Sequence, residues 1–159
     1  MALPDADRLC GWIESDGAVE RCEFQHRDDL SYRLRVTTPD ATLHVSRDDG
    51  DGPIRVVGTA EVPPEQLTAF GHDTDRQDLL GQLTAVVTST DGRFALRDGD
   101  GDRCELREMR RVEFERRIYP GGGTRHEVMT AVHDIASAVG YLFVVLRNFH
   151  SYGADDSPF

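Results

Sequence analysis

The chain has 159 residues, a length typical of a single domain that closes one hydrophobic core without disulfides or metal ions. It carries 29 acidic against 18 basic residues, so its formal net charge is -11, and lysine is absent. This charge argues against direct nucleic-acid binding, and no apolar run reaches the roughly 20 residues of a membrane-spanning helix. Because residues 1–5 lack the basic and apolar regions of a signal peptide, we expect a cytoplasmic protein.

The acidic excess, with arginine as the only strong cation, is typical of a halophilic cytosol. At molar salt the Debye length falls to about 3 Å, so a surface covered with carboxylates no longer repels itself at long range. Codon drift in a GC-rich genome would also replace lysine by arginine. An acidic surface could instead mimic nucleic acid or dock a basic partner, but the aspartates cluster at predicted turns rather than on one face, which favours salt adaptation.

The first part of the chain predicts one helix and four strands. Asp5 can cap a helix whose apolar residues recur at helical spacing up to the Asp16-Gly17 break. A period of two then predicts four strands joined by hairpin turns. The second strand has the clearest pattern, and it places Arg33 and Arg35 on the face that is exposed to water. Their apolar positions are Cys22 and Phe24, then Leu30, Tyr32, Leu34 and Val36, then Leu43 and Val45, then Ile54, Val56, Gly58, Ala60 and Val62.

Helical and strand patterns alternate in the middle of the chain. Pro63-Pro64 opens a helical stretch that reaches Phe70, and a second helix begins near Thr74 with its apolar face over 79–87. Strand character returns at 94–96 and is predicted to run without interruption from Cys104 to Ile118. The odd-numbered face of this last strand reads Arg103, Glu105, Arg107, Met109, Arg111, Glu113, Glu115 and Arg117. The interleaved glutamates favour cross-strand ion pairs over an anion or partner patch.

The strongest helix pattern is the last one. It begins near Thr124, with Glu127 as a capping-box partner, and residues 128–149 carry an unbroken apolar stripe. Further apolar groups cover the rest of its circumference, at Tyr141, Phe143, Val144 and Val145. A helix that is apolar all round is buried all round, so we expect a second subunit, a partner or folded-over loops to cover it. Residues 151–159 are predicted to be a flexible acidic tail after a single domain of residues 1–150.

The order α-β-β-β-β-α-β-β-α predicts an α+β fold, a twisted antiparallel sheet flanked by helices in a two-layer sandwich. This order is similar to the type III secretion chaperone-like fold, which commonly forms homodimers. The segment Arg117–Val132 (RIYPGGGTRHEVMTAV) resembles the corresponding part of an uncharacterised archaeal domain family assigned to that fold. Three consecutive glycines and the absence of lysine depart from the archaeal pattern. Secretion chaperones bind unfolded client segments on apolar grooves, so the resemblance implies protein binding and no catalytic pattern.

Motifs that could carry chemistry have simpler structural interpretations. The run Asp98, Asp100 and Asp102 superficially suggests a calcium loop, but Arg103 and Met109 stand where an EF-hand needs glycine and an acidic ligand, so we predict an acidic hairpin turn. His126 and His133 lie roughly 10 Å apart along a helix, too far to share one metal ion. The cysteines Cys10, Cys22 and Cys104 are predicted to be buried free thiols. The sequence predicts no metal, no cofactor and no nucleophilic site.

These patterns favour a non-catalytic protein-binding module, chaperone-like or adaptor-like, that forms a homodimer in a halophilic cytoplasm and binds a client or partner protein. The apolar surface that it offers would come from the last helix or from the helix over 79–87. The residues predicted to bind a partner are Tyr141, Phe143, Val144, Val145, Arg107 and Arg111. Nucleic-acid and membrane binding are not expected. The alternative is a small hydrolase or ligand-binding enzyme, whose site would bring His126 or His133 together with buried carboxylates in a deep pocket.

Overall fold

Capping and alternation dictate where the elements of this fold begin and end. The computed structural model describes residues 2–28, 30–63, 65, 73–89 and 91–155, and the side chains of these residues except 73–76 and 148–155. The elements are α1 (Ala6–Glu14), β1 (Arg21–Arg27), β2 (Tyr32–Thr37), β3 (Thr42–Arg47), β4 (Ile54–Glu61), α2 (Asp73–Ser89), β5 (Arg93–Arg97), β6 (Arg111–Ile118) and α3 (Arg125–Asp155).

The strands form one six-stranded antiparallel sheet in the order β1-β2-β3-β4-β6-β5. The α+β class and the element order predicted from sequence are confirmed. The chain also divides into two compact units, Met1–Gly58 with Glu115–Ser137 and Thr59–Phe114 with Ala138–Phe159.

The first unit is organised around the buried face of β2. Asp5 caps α1 as predicted, because its Oδ1 accepts a hydrogen bond of 2.9 Å from the Arg8 amide, and α1 packs against β1 and β2. Tyr32 is fully buried and its hydroxyl donates to the Pro4 carbonyl at 3.1 Å. Residues 32–36 of β2 alternate strictly between buried and exposed, so one side of this strand faces the core and the other faces water.

The second unit contains α2, β5 and the acidic turn that follows β5. The helix predicted near Thr74 is confirmed as α2, which buries Leu79, Leu83 and Val87 and packs against β5. The aspartate run is a hairpin turn as predicted: Asp98 Oδ1 accepts from the backbone amides of residues 100 and 102, at 2.9 and 3.0 Å. Gly101 has a φ of +86°, a conformation that favours glycine.

Helix α3 begins where the capping signal predicts. The Thr124 Oγ1 accepts a hydrogen bond of 3.2 Å from the Glu127 amide, and Gly121, in the turn before it, has a φ of +100°. The helix extends to Asp155, which includes five residues assigned above to the tail, and 156–159 lie outside the described residues.

By length and composition, Arg125–Arg147 could also cross a membrane. Its most apolar 18-residue stretch is 56% buried within the protein, a property that it shares with the core helices of soluble proteins.

The predicted continuous strand from Cys104 to Ile118 is wrong in its first half. Only Arg111–Ile118 is a strand, and residues 106–108 form a short 3-10 helix. The strand alternation does not hold through this turn, so Met109, predicted on the charged face, is fully buried. The period-two pattern alone cannot detect such a turn, because the apolar residues on both sides of it keep even numbers.

The dry face predicted for the second strand is correct at three of its four positions. Tyr32, Leu34 and Val36 are fully buried, whereas Leu30 is 57% exposed. The Asp28 amide donates to the Ser31 carbonyl at 2.8 Å, so Leu30 lies in the turn before the strand begins. The helical stretch predicted to follow Pro63-Pro64 lies largely outside the described residues.

Candidate functional site

The predicted partner-binding residues of α3 divide into an exposed group and a buried residue. Tyr141, Phe143 and Val144 are 44%, 42% and 51% exposed, whereas Val145 is buried. Each helical residue advances by about 100° around the axis, which returns Val145 to the side of the buried Leu142. The exposed group, which we name the apolar turn (Tyr141, Phe143 and Val144), therefore excludes Val145.

The two predicted partner-binding arginines lie before and at the start of β6. Arg107 is exposed in the 3-10 helix, and Arg111 is half-buried as the first residue of the strand. The Arg111 Nε is buried and lies 4.0 Å from Glu61 Oε1, too far for a hydrogen bond. Arg111 therefore forms a long ion pair with Glu61 of β4, and Arg107 is the more accessible of the two arginines.

A second group of candidate functional residues lies in the first unit and is centred on Glu115 of β6. Its Oε1 accepts hydrogen bonds from two arginine Nε atoms, that of Arg55 on β4 at 2.7 Å and that of Arg117 at 2.8 Å. The Glu115 side chain is only 10% exposed. The cross-strand ion pairing predicted for this strand is confirmed here, and again in the second unit between Arg97 and Glu113 at 3.6 Å.

The charge state of Glu115 follows from two opposing effects. Burial raises the pKa of this carboxyl group, but the hydrogen bonds from Arg117 and Arg55 outweigh burial and hold the pKa below its usual value. The same contact, together with one from Tyr119, raises the pKa of Arg117. Glu115 is therefore an ionised carboxylate at neutral pH that neutralises only part of the positive charge around it.

The water-facing side of the sheet in the first unit collects arginines. The backbone register places the alternate residues of β1 to β4 on one face, and the Arg55–Glu115 hydrogen bond places β6 on the same face. Its charged residues are five arginines, Arg21, Arg33, Arg35, Arg55 and Arg117, and two glutamates, Glu23 and Glu115. We name this surface the arginine face. It is locally positive although the chain as a whole has a net charge of -11.

The arginines of this face differ in how they are neutralised. Arg21 forms an ion pair with Glu23, and Arg55 and Arg117 share Glu115. Arg33 and Arg35 are exposed on β2, and within the described parts of the chain no carboxylate lies at ion-pair distance from either of them. The sequence signal for Arg33 and Arg35 was their position on the water-facing side of a predicted strand with no glutamate between them. The odd-numbered residues of 103–117, in contrast, mix arginines with glutamates.

The two histidines of α3 have different surroundings. His133 Nε2 lies 3.1 Å from Asp16 Oδ2, and the neighbouring Arg125 donates to Ser15 Oγ at 2.9 Å, whereas His126 is exposed. The hydrogen bond from the Ala18 amide, and after it the one from His133, lowers the pKa of Asp16. Among the side chains that the structure describes, no group of three or more His, Cys, Asp or Glu could hold a metal ion.

The three cysteines are free thiols; Cys10 is buried as predicted, whereas Cys22 and Cys104 are half-buried. Cys10 and Cys22, which are distant in sequence, lie with their sulfur atoms 3.9 Å apart. Burial, followed by the neighbouring Cys10, raises the pKa of Cys22 to about 12, and burial also raises the pKa of Cys10. Both groups are therefore protonated at neutral pH and are poor nucleophiles, since the thiolate is the reactive form.

Comparison with known proteins supports the fold. No family model and no curated protein matches the chain. Among solved structures, it is similar to an uncharacterised protein from Methanothermobacter thermautotrophicus, with a TM-score of 0.66 and 12% sequence identity. The match covers 89% of this chain and 96% of that one. At this identity the likeness shows a shared fold with an archaeal protein, in agreement with the archaeal resemblance of the sequence.

Proposed function

We propose that this chain is a non-catalytic protein-binding module, chaperone-like or adaptor-like, that works as a homodimer in a halophilic cytoplasm. The observation that carries the proposal is the apolar turn, because three large apolar side chains in one stretch of helix are exposed to water. Aromatic residues are enriched in protein interfaces, and two-fold dimers are the commonest soluble oligomers. A second copy of the chain is therefore our choice for the surface that covers this turn.

Two further properties support this proposal. The element order is that expected of the secretion chaperone-like fold, whose members bind proteins and commonly dimerise. The 29 acidic residues and the absence of lysine suit a protein that stays soluble in concentrated salt. Neither property depends on a catalytic group, and we expect no enzymatic turnover from this chain.

Light scattering after size-exclusion chromatography in molar KCl tests the dimer. We expect twice the protomer mass of 17.8 kDa for the wild type and the protomer mass for a Phe143→Ser/Val144→Ser variant. Leu30→Ser/Tyr119→Ser is the matched control, since it also removes two exposed large apolar groups and should leave the dimer intact. A wild type that is strictly monomeric and binds no hydrophobic dye would contradict the proposal.

The alternative function, a small hydrolase or ligand-binding enzyme, has one observation in its favour. The hydrogen bond between His133 and Asp16 is the arrangement in which a carboxylate orients a general base. A screen with activated esters would test it, with His133→Gln as the inactivating variant and His126→Gln as the control. Hydrolysis lost only in the first variant would favour the enzyme over the binding module.

A further inference from the structure

Two neighbouring arginines of β2 carry positive charge that the described part of the protein does not neutralise. Arg33 and Arg35 are exposed, and they alternate with the buried Tyr32, Leu34 and Val36. Across the sheet, Arg33 is paired in register with Ser46 and Arg35 with His44, neither of which supplies a negative charge. On the other side, Arg35 is paired with Glu23, but that carboxylate forms its ion pair with Arg21.

This positive charge is unusual for the chain that carries it. Acidic residues outnumber basic ones by 29 to 18, so an arginine placed at random on the surface would usually have a carboxylate nearby. The adjacent part of the same face adds to the excess, because Arg55 and Arg117 share a single glutamate. A cationic face on an anionic protein is complementary to an anionic ligand.

We propose that Arg33 and Arg35 bind an acidic segment of a partner protein that lies extended along β2 and presents carboxylates at alternate positions. Residues i and i+2 are about 6.8 Å apart both in an antiparallel strand and in an extended peptide, so the two guanidinium groups match the spacing of two such carboxylates. Arginine binds a carboxylate through two parallel hydrogen bonds. Because these bonds act at direct contact, they persist in salt that screens long-range attraction.

The chemistry of the face favours a peptide over a single-stranded nucleic acid. Sheets that bind single strands stack the bases on exposed aromatic rings, commonly two or three of them. The described strand positions of this face carry no phenylalanine, tyrosine or tryptophan; Tyr119, beside Arg117, follows the end of β6. The net charge of -11 would also repel a polyphosphate chain outside this one surface.

His44 offers a spectroscopic reporter inside the proposed site. Burial, and after it the positive charges of Arg33 and Arg35, lower the pKa of this imidazole. From β4, Val57 is paired in register with His44, and Arg55 lies two residues away on the same face. A carboxylate that binds Arg33 and Arg35 would offset their charge, so binding should raise the pKa of His44.

The proposal rests on the proposed function only in taking the partner to be a protein, and its test is separate. A labelled peptide of alternating glutamate and serine would be titrated by fluorescence anisotropy in molar KCl, where long-range attraction is screened and direct contacts decide the affinity. The comparison peptide has the same composition with its glutamates in one block. We expect saturable binding that is tighter for the alternating peptide and that raises the His44 pKa measured by NMR.

Paired variants distinguish a specific site from bulk charge. Arg33→Gln/Arg35→Gln should weaken binding at least tenfold, roughly the effect of losing one charge-assisted contact. Arg103→Gln/Arg110→Gln removes the same charge from two other exposed arginines and should change the affinity less than about twofold. The proposal would be overturned by equal losses of affinity in both variants or by a His44 pKa that does not change on binding. Tighter binding of a single-stranded oligonucleotide than of the alternating peptide would also overturn it. The oligomeric state of Arg33→Gln/Arg35→Gln should stay that of the wild type, so a failure here leaves the dimer test unaffected.

Discussion

Two strands of the first unit carry charge at alternate positions, yet they use it differently. On β6, Glu115 is nearly buried and holds two arginines at hydrogen-bond distance. On β2, Arg33 and Arg35 have the same spacing but no carboxylate at ion-pair distance among the described residues. The difference separates charge that stabilises the sheet from charge that remains available to a ligand.

The largest expected effect comes from removing the shared carboxylate. Glu115→Gln should lower the free energy of unfolding by about 2 kcal/mol, because it leaves two partly buried guanidinium groups without their counter-ion. The loss is smaller than for a fully buried pair, since each arginine is about one third exposed. Urea denaturation measures it, with Glu23→Gln, from an exposed ion pair, as a control expected to change stability by under about 0.5 kcal/mol. Equal effects of the two variants would show that burial of Glu115 does not matter.

The stabilising effect of Glu115 should depend on pH in a defined direction. Its pKa is lower in the folded protein than in the unfolded chain, so its contribution is complete above the ordinary glutamate pKa of about 4.3. The contribution is lost as the pH falls through the lower folded value. The stability difference between the wild type and Glu115→Gln should therefore be constant from about pH 7 to about pH 5 and shrink below about pH 4. A difference that grows with acidity would contradict this assignment.

The contrast between these strands shows what sequence alone could predict. Strict alternation over residues 32–36 predicted the exposed arginines of β2, because the period of two fixes which side of a strand each residue occupies. The pairing of Glu115 with Arg55 could not be predicted, since the two residues are distant in sequence. They come together only because β4 lies beside β6 in the sheet. The burial of Met109 was missed for a related reason, because a single helical turn interrupts the strand without changing the residue pattern on either side of it.

The apolar turn shows the same limit on α3. The sequence showed that this part of the helix is apolar on every side, but it could not show which residues the protein itself covers. Helical rotation places Val145 with the buried residues and leaves Tyr141, Phe143 and Val144 exposed. The prediction of an uncovered surface therefore depends on three side chains rather than four.

A moderate effect is expected on the titration of His44. Arg35→Gln removes one of the two positive charges that, after burial, lower its pKa, so the pKa should rise while burial keeps it below the ordinary value. Because the folded pKa is depressed, the wild type should lose stability as the pH falls through the unfolded histidine value of about 6.5, and the variant should lose less. NMR titration of the imidazole protons gives the pKa, and Arg103→Gln serves as the control. A pKa that is unchanged in Arg35→Gln would remove the electrostatic link between this arginine and His44.

The smallest expected effect decides how the comparison is interpreted. Arg33→Gln should change the free energy of unfolding by less than about 0.5 kcal/mol, and a slight increase is expected because the substitution removes repulsion between two like charges about 6.8 Å apart. Arg55→Gln is the reference, since it breaks a 2.7 Å hydrogen bond to a buried carboxylate and should cost clearly more. If both substitutions destabilise equally, Arg33 already has a structural partner and its charge is not available to a ligand. If only Arg55→Gln destabilises, the positive charge of β2 contributes nothing to the stability of the fold, and binding remains the use that its position supports.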